Sequence, residues 1–146
     1  MNPVETRLRV RYAETDQMGI VYYANYLVWM EVARVEWCRA RGFHYRDMER
    51  EDGVMLVVAE AQCRYLAPAL FDDEVIIETQ IAEAGARLIR FEYTMRNAAT
   101  GQLLATGSTK HVVCSLSRKP TRLPEKYRGY FGVGSVSASM TPGCFR

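Results

Sequence analysis

An α+β fold, one long helix set against a single curled antiparallel sheet of about five strands, is what this sequence predicts. Three observations predict it. A helical stripe of apolar residues runs through residues 22–41. Strand-like alternation occurs in five stretches, one before that helix and four after it. Short turns separate the later stretches, as hairpins require.

The first strand spans residues 4–12, V-E-T-R-L-R-V-R-Y, with Thr6, Leu8, Val10 and Tyr12 on one face and Arg7, Arg9 and Arg11 on the other. Period two with β-branched residues gives a strand with one wet face. It should end near Ala13, because Glu14, Thr15, Asp16 and Gln17 are turn-like and Gly19 breaks the pattern. The helix follows. Tyr26, Met30, Ala33 and Trp37 recur at i, i+4, i+7 and i+11, flanked by Leu27 and Cys38. Asn25 is the candidate N-cap and Gly42 the stop, with Glu31–Arg34 and Glu36–Arg39 as i,i+3 pairs. Residues 43–53 are polar and read as a loop with a short helical turn. Strands are expected over residues 55–66, 74–84, 88–96 and 103–116, with Pro68, Gly85, N-A-A-T-G-Q and Pro120 as punctuation. From Gly129 onward the chain is rich in glycine and serine and has no pattern, so residues 1–128 form the expected domain and 129–146 a flexible tail. One face of such a sheet stays open, which points to self-association.

At 146 residues, with 49% apolar and 25% charged residues, the chain has the make-up of one ordinary globular domain with a core. The net charge of +2, 19 basic against 17 acidic residues, is interleaved rather than massed, which argues against nucleic acid as a partner. Four widely spaced cysteines without a C-x-x-C pair lead us to expect free thiols in a cytoplasmic protein. No apolar run of 18 residues and no charged-then-apolar leader is present, so neither secretion nor a membrane span is expected.

The stretch with chemical content is residues 12–26, Y-A-E-T-D-Q-M-G-I-V-Y-Y-A-N-Y. Asp16 is the candidate catalytic carboxylate. The competing reading is a turn residue whose carboxylate accepts nearby backbone N–H bonds, and on the residues alone that reading is favoured modestly. Yet a glycine turn and the free amides of a helix start follow within a few residues, and these stabilise negative charge. A carbonyl resting there has an oxyanion site, and a carboxylate beside it can attack the carbonyl or activate a water. Glu31, about two turns into the helix, is the rival carboxylate, or else a surface partner of Arg34. Tyr22, Tyr23, Tyr26 and Trp29 are either pocket walls or core. His44 and His111 lack partners at metal or triad spacing and read as structural, so no metal is expected. Ser108, Ser115 and Ser117 lack a G-x-S-x-G setting. Arg87, Arg90, Lys110, Arg118 and Lys119 are solvated charges or a landing place for phosphates.

The run T-D-Q-M-G-I-V-Y-Y-A-N-Y-L-V-W-M-E resembles the signature of the hotdog-fold acyl-CoA thioesterases, specifically the 4-hydroxybenzoyl-CoA thioesterase-like family. R-Y-L-A-P-A-L-F-D-D-E-V-I-I-E-T and R-K-P-T-R-L-P are similar to later parts of the same family, so the resemblance covers roughly residues 5 to 128. It implies a long central helix wrapped by a curved sheet, and hydrolysis of a thioester to a carboxylic acid and CoA. It implies Asp16 as nucleophile or general base and the Tyr23 backbone amide as the group polarising the carbonyl. Gly19, Tyr22 and Asn25 then stand around the substrate, and Arg87, Arg90, Arg118 and Lys119 are candidates for the CoA phosphates. No cofactor is implied, since CoA belongs to the substrate. One branch carries histidine where this chain has Tyr23, which moves the chain towards the aromatic acyl-CoA branch. Another clan places its carboxylate on the helix, which keeps Glu31 in play. Members are dimers, often paired into tetramers, with the site between subunits, so a homotetramer or a dimer is expected here. An acyl-CoA or acyl-carrier-protein thioester is the expected substrate. The alternatives are a non-catalytic acyl-CoA or acyl-carrier binding protein on the same fold and, less favoured for want of a histidine near Asp16, a hotdog hydratase.

Overall fold

A computed structural model describes residues 2–133. The described strands are β1 (Val4–Arg9), β2 (Val54–Tyr65), β3 (Glu74–Ala84), β4 (Leu88–Asn97) and β5 (Leu103–Ser115). The helices are α1 (Asn25–Arg41), α2 (Tyr45–Asp52) and α3 (Glu125–Phe131). All pairings are antiparallel, in the order β1-β3-β4-β5-β2, so the short β1 and the 12-residue β2 are the edges.

The alternating residues do what their period requires. Val75, Ile77 and Thr79 of β3, Ile89, Phe91, Tyr93 and Met95 of β4, and Thr109, His111 and Val113 of β5 are buried. On that face lies α1, burying Tyr26, Trp29, Met30, Ala33, Trp37 and Cys38. The helix comes close because β5 offers Gly107: a Cβ there would sit 2.2 Å from Met30 Cε and 2.6 Å from the Gln62 carbonyl oxygen. Gly42 closes α1 in the left-handed region at φ 111°, as its position after the last periodic residue predicts.

Four local expectations change. β1 ends at Arg9 rather than near Ala13: Val10 still donates to the Asp73 carbonyl, the next position in register, and a 3-10 turn over Tyr12–Glu14 then takes the chain out of the sheet. Tyr12 is accordingly 76% exposed instead of inward. Residues 45–52 form two helical turns rather than one, because Met48 is buried and Gly53 supplies the stop at φ 64°. Glu31 and Arg34 form no ion pair among the described residues, since the Arg34 guanidinium donates to the Tyr93 hydroxyl at 3.2 Å.

The fourth concerns the end of the domain. Residues 129–131, expected in the tail, complete α3, and Phe131 is 1% exposed, stacked on Trp37 at 5.2 Å. The patternless composition hid a single short helix held by aromatic contacts. The expected tail from 134 to 146 lies outside the described residues.

Candidate active site

The loop between β1 and α1 is held by backbone bonds within itself and to residues 69 and 70. Thr15 bridges Val21, Ile20 bridges Leu70, and the Val21 N–H donates to the Ala69 carbonyl at 2.9 Å. Asp16 sits in this loop, partly exposed. Its N–H donates to the Ile20 carbonyl, its own carbonyl accepts the Gly19 N–H, and its Oδ1 accepts the Met18 N–H, each at 2.9 Å. The side-chain turn weighed as the competing reading is therefore present, but it uses one carboxylate oxygen. Oδ2 has no protein partner among the described residues. Gly19 holds φ at 80° with open space around it, so the handedness of the turn, not crowding, demands glycine.

Asp16 and Tyr23 line one cavity of ≈ 330 Å³, with Val21, Tyr26, Tyr65 and Leu66 among its walls. At the helix entrance the Tyr22 N–H donates to the Glu14 carbonyl and the Asn25 N–H to the Tyr22 carbonyl, both at 2.9 Å. The Tyr26 and Leu27 amides donate back to Tyr23 and Ala24. The Tyr23 and Ala24 N–H groups are thus the amides left without an acceptor at this entrance, among the described residues, as geometry leaves them at any helix start. Tyr65 closes the other side. Its hydroxyl donates to the Tyr23 carbonyl at 2.9 Å, and its ring meets Tyr26 edge-on at 5.0 Å. Burial raises the Tyr26 phenol and pushes Tyr65 up to about 12, so both remain protonated donors at neutral pH.

Other candidates fall elsewhere. Asn25 does not cap α1: it is the first helical residue after Ala24, and its side-chain amide donates to the Glu14 carbonyl at 2.9 Å. That bond ties the side chain to the loop. Tyr22 packs on Tyr23 with ring centres 4.7 Å apart and does not line the cavity. Trp29 is core, 2% exposed. Glu31 lines two different cavities, of ≈ 490 and ≈ 260 Å³, together with Arg34 and Val58. His44 is exposed before α2. His111 is fully buried, its Nε2 2.8 Å from Thr109 Oγ1.

The basic residues divide. Arg90 pairs with Glu83 at 3.7 Å and lines a polar cavity of ≈ 710 Å³ on the sheet's outer face, where no open helix amide stands beside a carboxylate. Arg87 lies in the β3–β4 turn, and Arg118 and Lys119 in the turn that follows β5. The Asp16 loop is tied to residues 69–73, at the other end of the strands. At roughly 3.3 Å per residue that separates Arg118 and Lys119 from Asp16 by about 30 Å within one protomer.

Sequence reading missed Glu14 and Tyr65. Glu14 looked like one more polar turn residue, and Tyr65 like the end of a generic strand. Their partners, Trp29 and Tyr23, lie 15 and 42 residues away. No local period reports such a pairing.

The sequence pattern of the thioesterase-like superfamily matches residues 10–131. YneP of Bacillus subtilis is 38% identical over 112 residues, covering 77% of this chain and 80% of that protein. The acyl-CoA thioesterase YbgC of Haemophilus influenzae is 33% identical over 127 residues, 85% of this chain and 90% of its own. Among solved structures, the 1,4-dihydroxy-2-naphthoyl-CoA thioesterase Slr0204 of Synechocystis is similar with a TM-score of 0.81 at 25% identity, over 89% of this chain and 96% of that one. The chain belongs to the thioesterase-like superfamily and has its hotdog fold. It is a thioester hydrolase.

Proposed function

We propose that the chain hydrolyses an acyl-CoA thioester, with Asp16 as the reacting carboxylate and the Tyr23 amide as the oxyanion donor. One observation carries this reading: Asp16, a carboxylate with a free oxygen, and Tyr23, whose helix-start amide is unpaired among the described residues, line the same cavity. The thioester carbonyl oxygen takes the Tyr23 N–H, where developing negative charge also meets the positive end of α1. Asp16 then has two routes. As nucleophile it attacks the carbonyl carbon, the C–S bond breaks, CoA leaves as thiolate, and water hydrolyses the mixed anhydride. As base it takes a proton from water while that water's oxygen attacks the same carbon, the C–S bond then breaks, and CoA leaves as thiolate. Neither route calls on a cofactor.

The test is Asp16→Asn against a panel of benzoyl-, short-chain and long-chain acyl-CoAs and an acyl-carrier-protein thioester. The expected outcome is loss of most hydrolysis with an unchanged fold. Full activity in that variant would overturn the assignment, and background rates across the panel with the native protein would favour a binding module. In a single turnover in ¹⁸O-water, unlabelled acid with the label in Asp16 marks the nucleophilic route with water attacking the Asp16 carboxyl carbon, whereas the base route always gives labelled acid.

Self-association belongs to the same reading. β2 is a 12-residue edge with Val57 40% and Val58 47% exposed, and α1 presents Leu27 and Val28 beside it. A long apolar edge invites another strand, and a second copy in antiparallel register supplies one. That two-fold arrangement sets the far end of one protomer, with its Arg118–Lys119 turn, beside the Asp16 loop of the other. The CoA phosphates then have a basic landing place that one protomer lacks. Free buried thiols at Cys38 and Cys114 fit a reducing, cytoplasmic setting. No described helix is long and apolar enough to cross a membrane.

A further inference from the structure

We infer that Glu14 is a positioning residue that sets the distance between the Asp16 carboxylate and the Tyr23 amide by tying the loop to α1 through Trp29. Glu14 is 6% exposed, an uncommon place for a carboxylate, and every bond it makes lands on the frame of the site. Its Oε1 accepts the Arg11 N–H at 2.8 Å, where the loop begins. Its Oε2 accepts the Trp29 indole N–H at 2.9 Å and an Arg11 guanidinium N–H at 3.2 Å. Its backbone carbonyl accepts the Tyr22 N–H and the Asn25 side-chain amide, both at 2.9 Å. One residue thus holds the loop's entrance, its exit and the first two turns of α1. Asp16 lies two residues along the chain from it, and Tyr23 directly follows Tyr22.

The electrostatics agree with that geometry. Burial pushes the carboxyl up, but the Arg11 backbone N–H, the Trp29 indole and the Arg11 side chain together hold it below the ordinary glutamate value. Glu14 stays ionised at neutral pH, and its bonds to Arg11 and Trp29 are the charge-assisted kind. Trp29 itself is 2% exposed and packs on Tyr26, a wall of the Asp16 cavity, with ring centres 4.9 Å apart. Glu14 touches no substrate in this arrangement. It acts through Trp29, Tyr22 and Asn25.

The inference rests on the assignment of Asp16 and Tyr23 given above. The test compares Glu14→Gln, Trp29→Phe and the double variant with the native protein, reading kcat, KM and thermal unfolding on the best acyl-CoA of the panel. Gln has a single acceptor oxygen and cannot take both the Arg11 N–H and the Trp29 indole as the carboxylate does, and Phe keeps the ring but removes the donor. Displacement of reacting groups by about 1 Å can lower a rate about 100-fold, so each single variant is expected to lose about 10- to 100-fold in kcat while KM moves less than about 3-fold. The double variant should lose little more than either single one, because both cut the same tether. Folded single variants with native kcat overturn the inference, as do losses that multiply in the double variant. If Asp16→Asn keeps full activity, the site assignment fails first. If Asp16→Asn is inactive while the Glu14 and Trp29 variants are native-like, only the positioning role fails.

Discussion

Replacing Gly107 by alanine measures how closely α1 is seated on the sheet. The added Cβ would lie 2.2 Å from Met30 Cε and 2.6 Å from the Gln62 carbonyl oxygen, both well inside van der Waals contact. The methionine tip can move, but it is fully buried among neighbours that leave little room, and the Gln62 oxygen belongs to the backbone of β2. Overpacking of this kind costs about 1–3 kcal/mol. With an unfolding entropy of about 2.1 cal/mol/K per residue over the roughly 130 described residues, each kcal/mol lowers Tm by about 4 °C. The expected loss is therefore about 4–12 °C in a thermal melt. Because α1 carries the Tyr23 amide at its start, hydrolysis should fall alongside. Pairing the change with Met30→Ala gives the sharper assay: shortening Met30 relieves the closer of the two contacts, so the double variant should be at least about 1 kcal/mol more stable than the two single losses predict. A Gly107→Ala protein as stable as the native one, or strict additivity with Met30→Ala, would refute this account of helix seating.

Two further outcomes are expected. Burial, with the Arg34 charge adding to it, lowers the His111 pKa from 6.5 to about 4 in the folded chain, partly opposed by its contact with the Leu56 carbonyl. The unfolded chain therefore takes up this proton first as pH falls, so stability is lost through the window from about 6.5 down to about 4 and levels off below it. The whole effect is about 3 kcal/mol, and urea titrations at pH 7 and pH 4 should find His111→Gln less acid-sensitive than the native protein by that amount. Equal acid sensitivity would place the lability elsewhere. On the β2 edge, Val58→Lys should shift the protein towards monomer in sedimentation velocity and weaken hydrolysis together with it. An unchanged oligomer would show that assembly uses another surface.

Some of this was legible in the chain itself. Alternation in β1, β3 and β4 named the dry face of each, because a pleated strand has only two faces and the residue pattern declares which one is dry. The 3.6-residue stripe and Gly42 fixed α1 almost to the residue. Asp16, Gly19 and the helix start are neighbours in sequence, so the heart of the candidate site could be read without coordinates.

What lay beyond the sequence was everything made by distant partners. Tyr65 closes the cavity through a bond to Tyr23, and Phe131 enters the core through Trp37 although its local sequence carries no period. Asn25 has a cap's composition yet gives its amide to Glu14, because the loop's carbonyl competes for it. Arg118 and Lys119 carry the right charge for phosphate but stand at the far end of the strands from Asp16, a separation set by the direction and length of β5. Sequence by itself determined what repeats locally: strand faces, the helix stripe, the turn around Asp16. Tertiary structure decided which distant groups meet, since a hydrogen bond or an aromatic contact across 15 or 42 residues depends on the path of the whole chain and leaves no periodic trace.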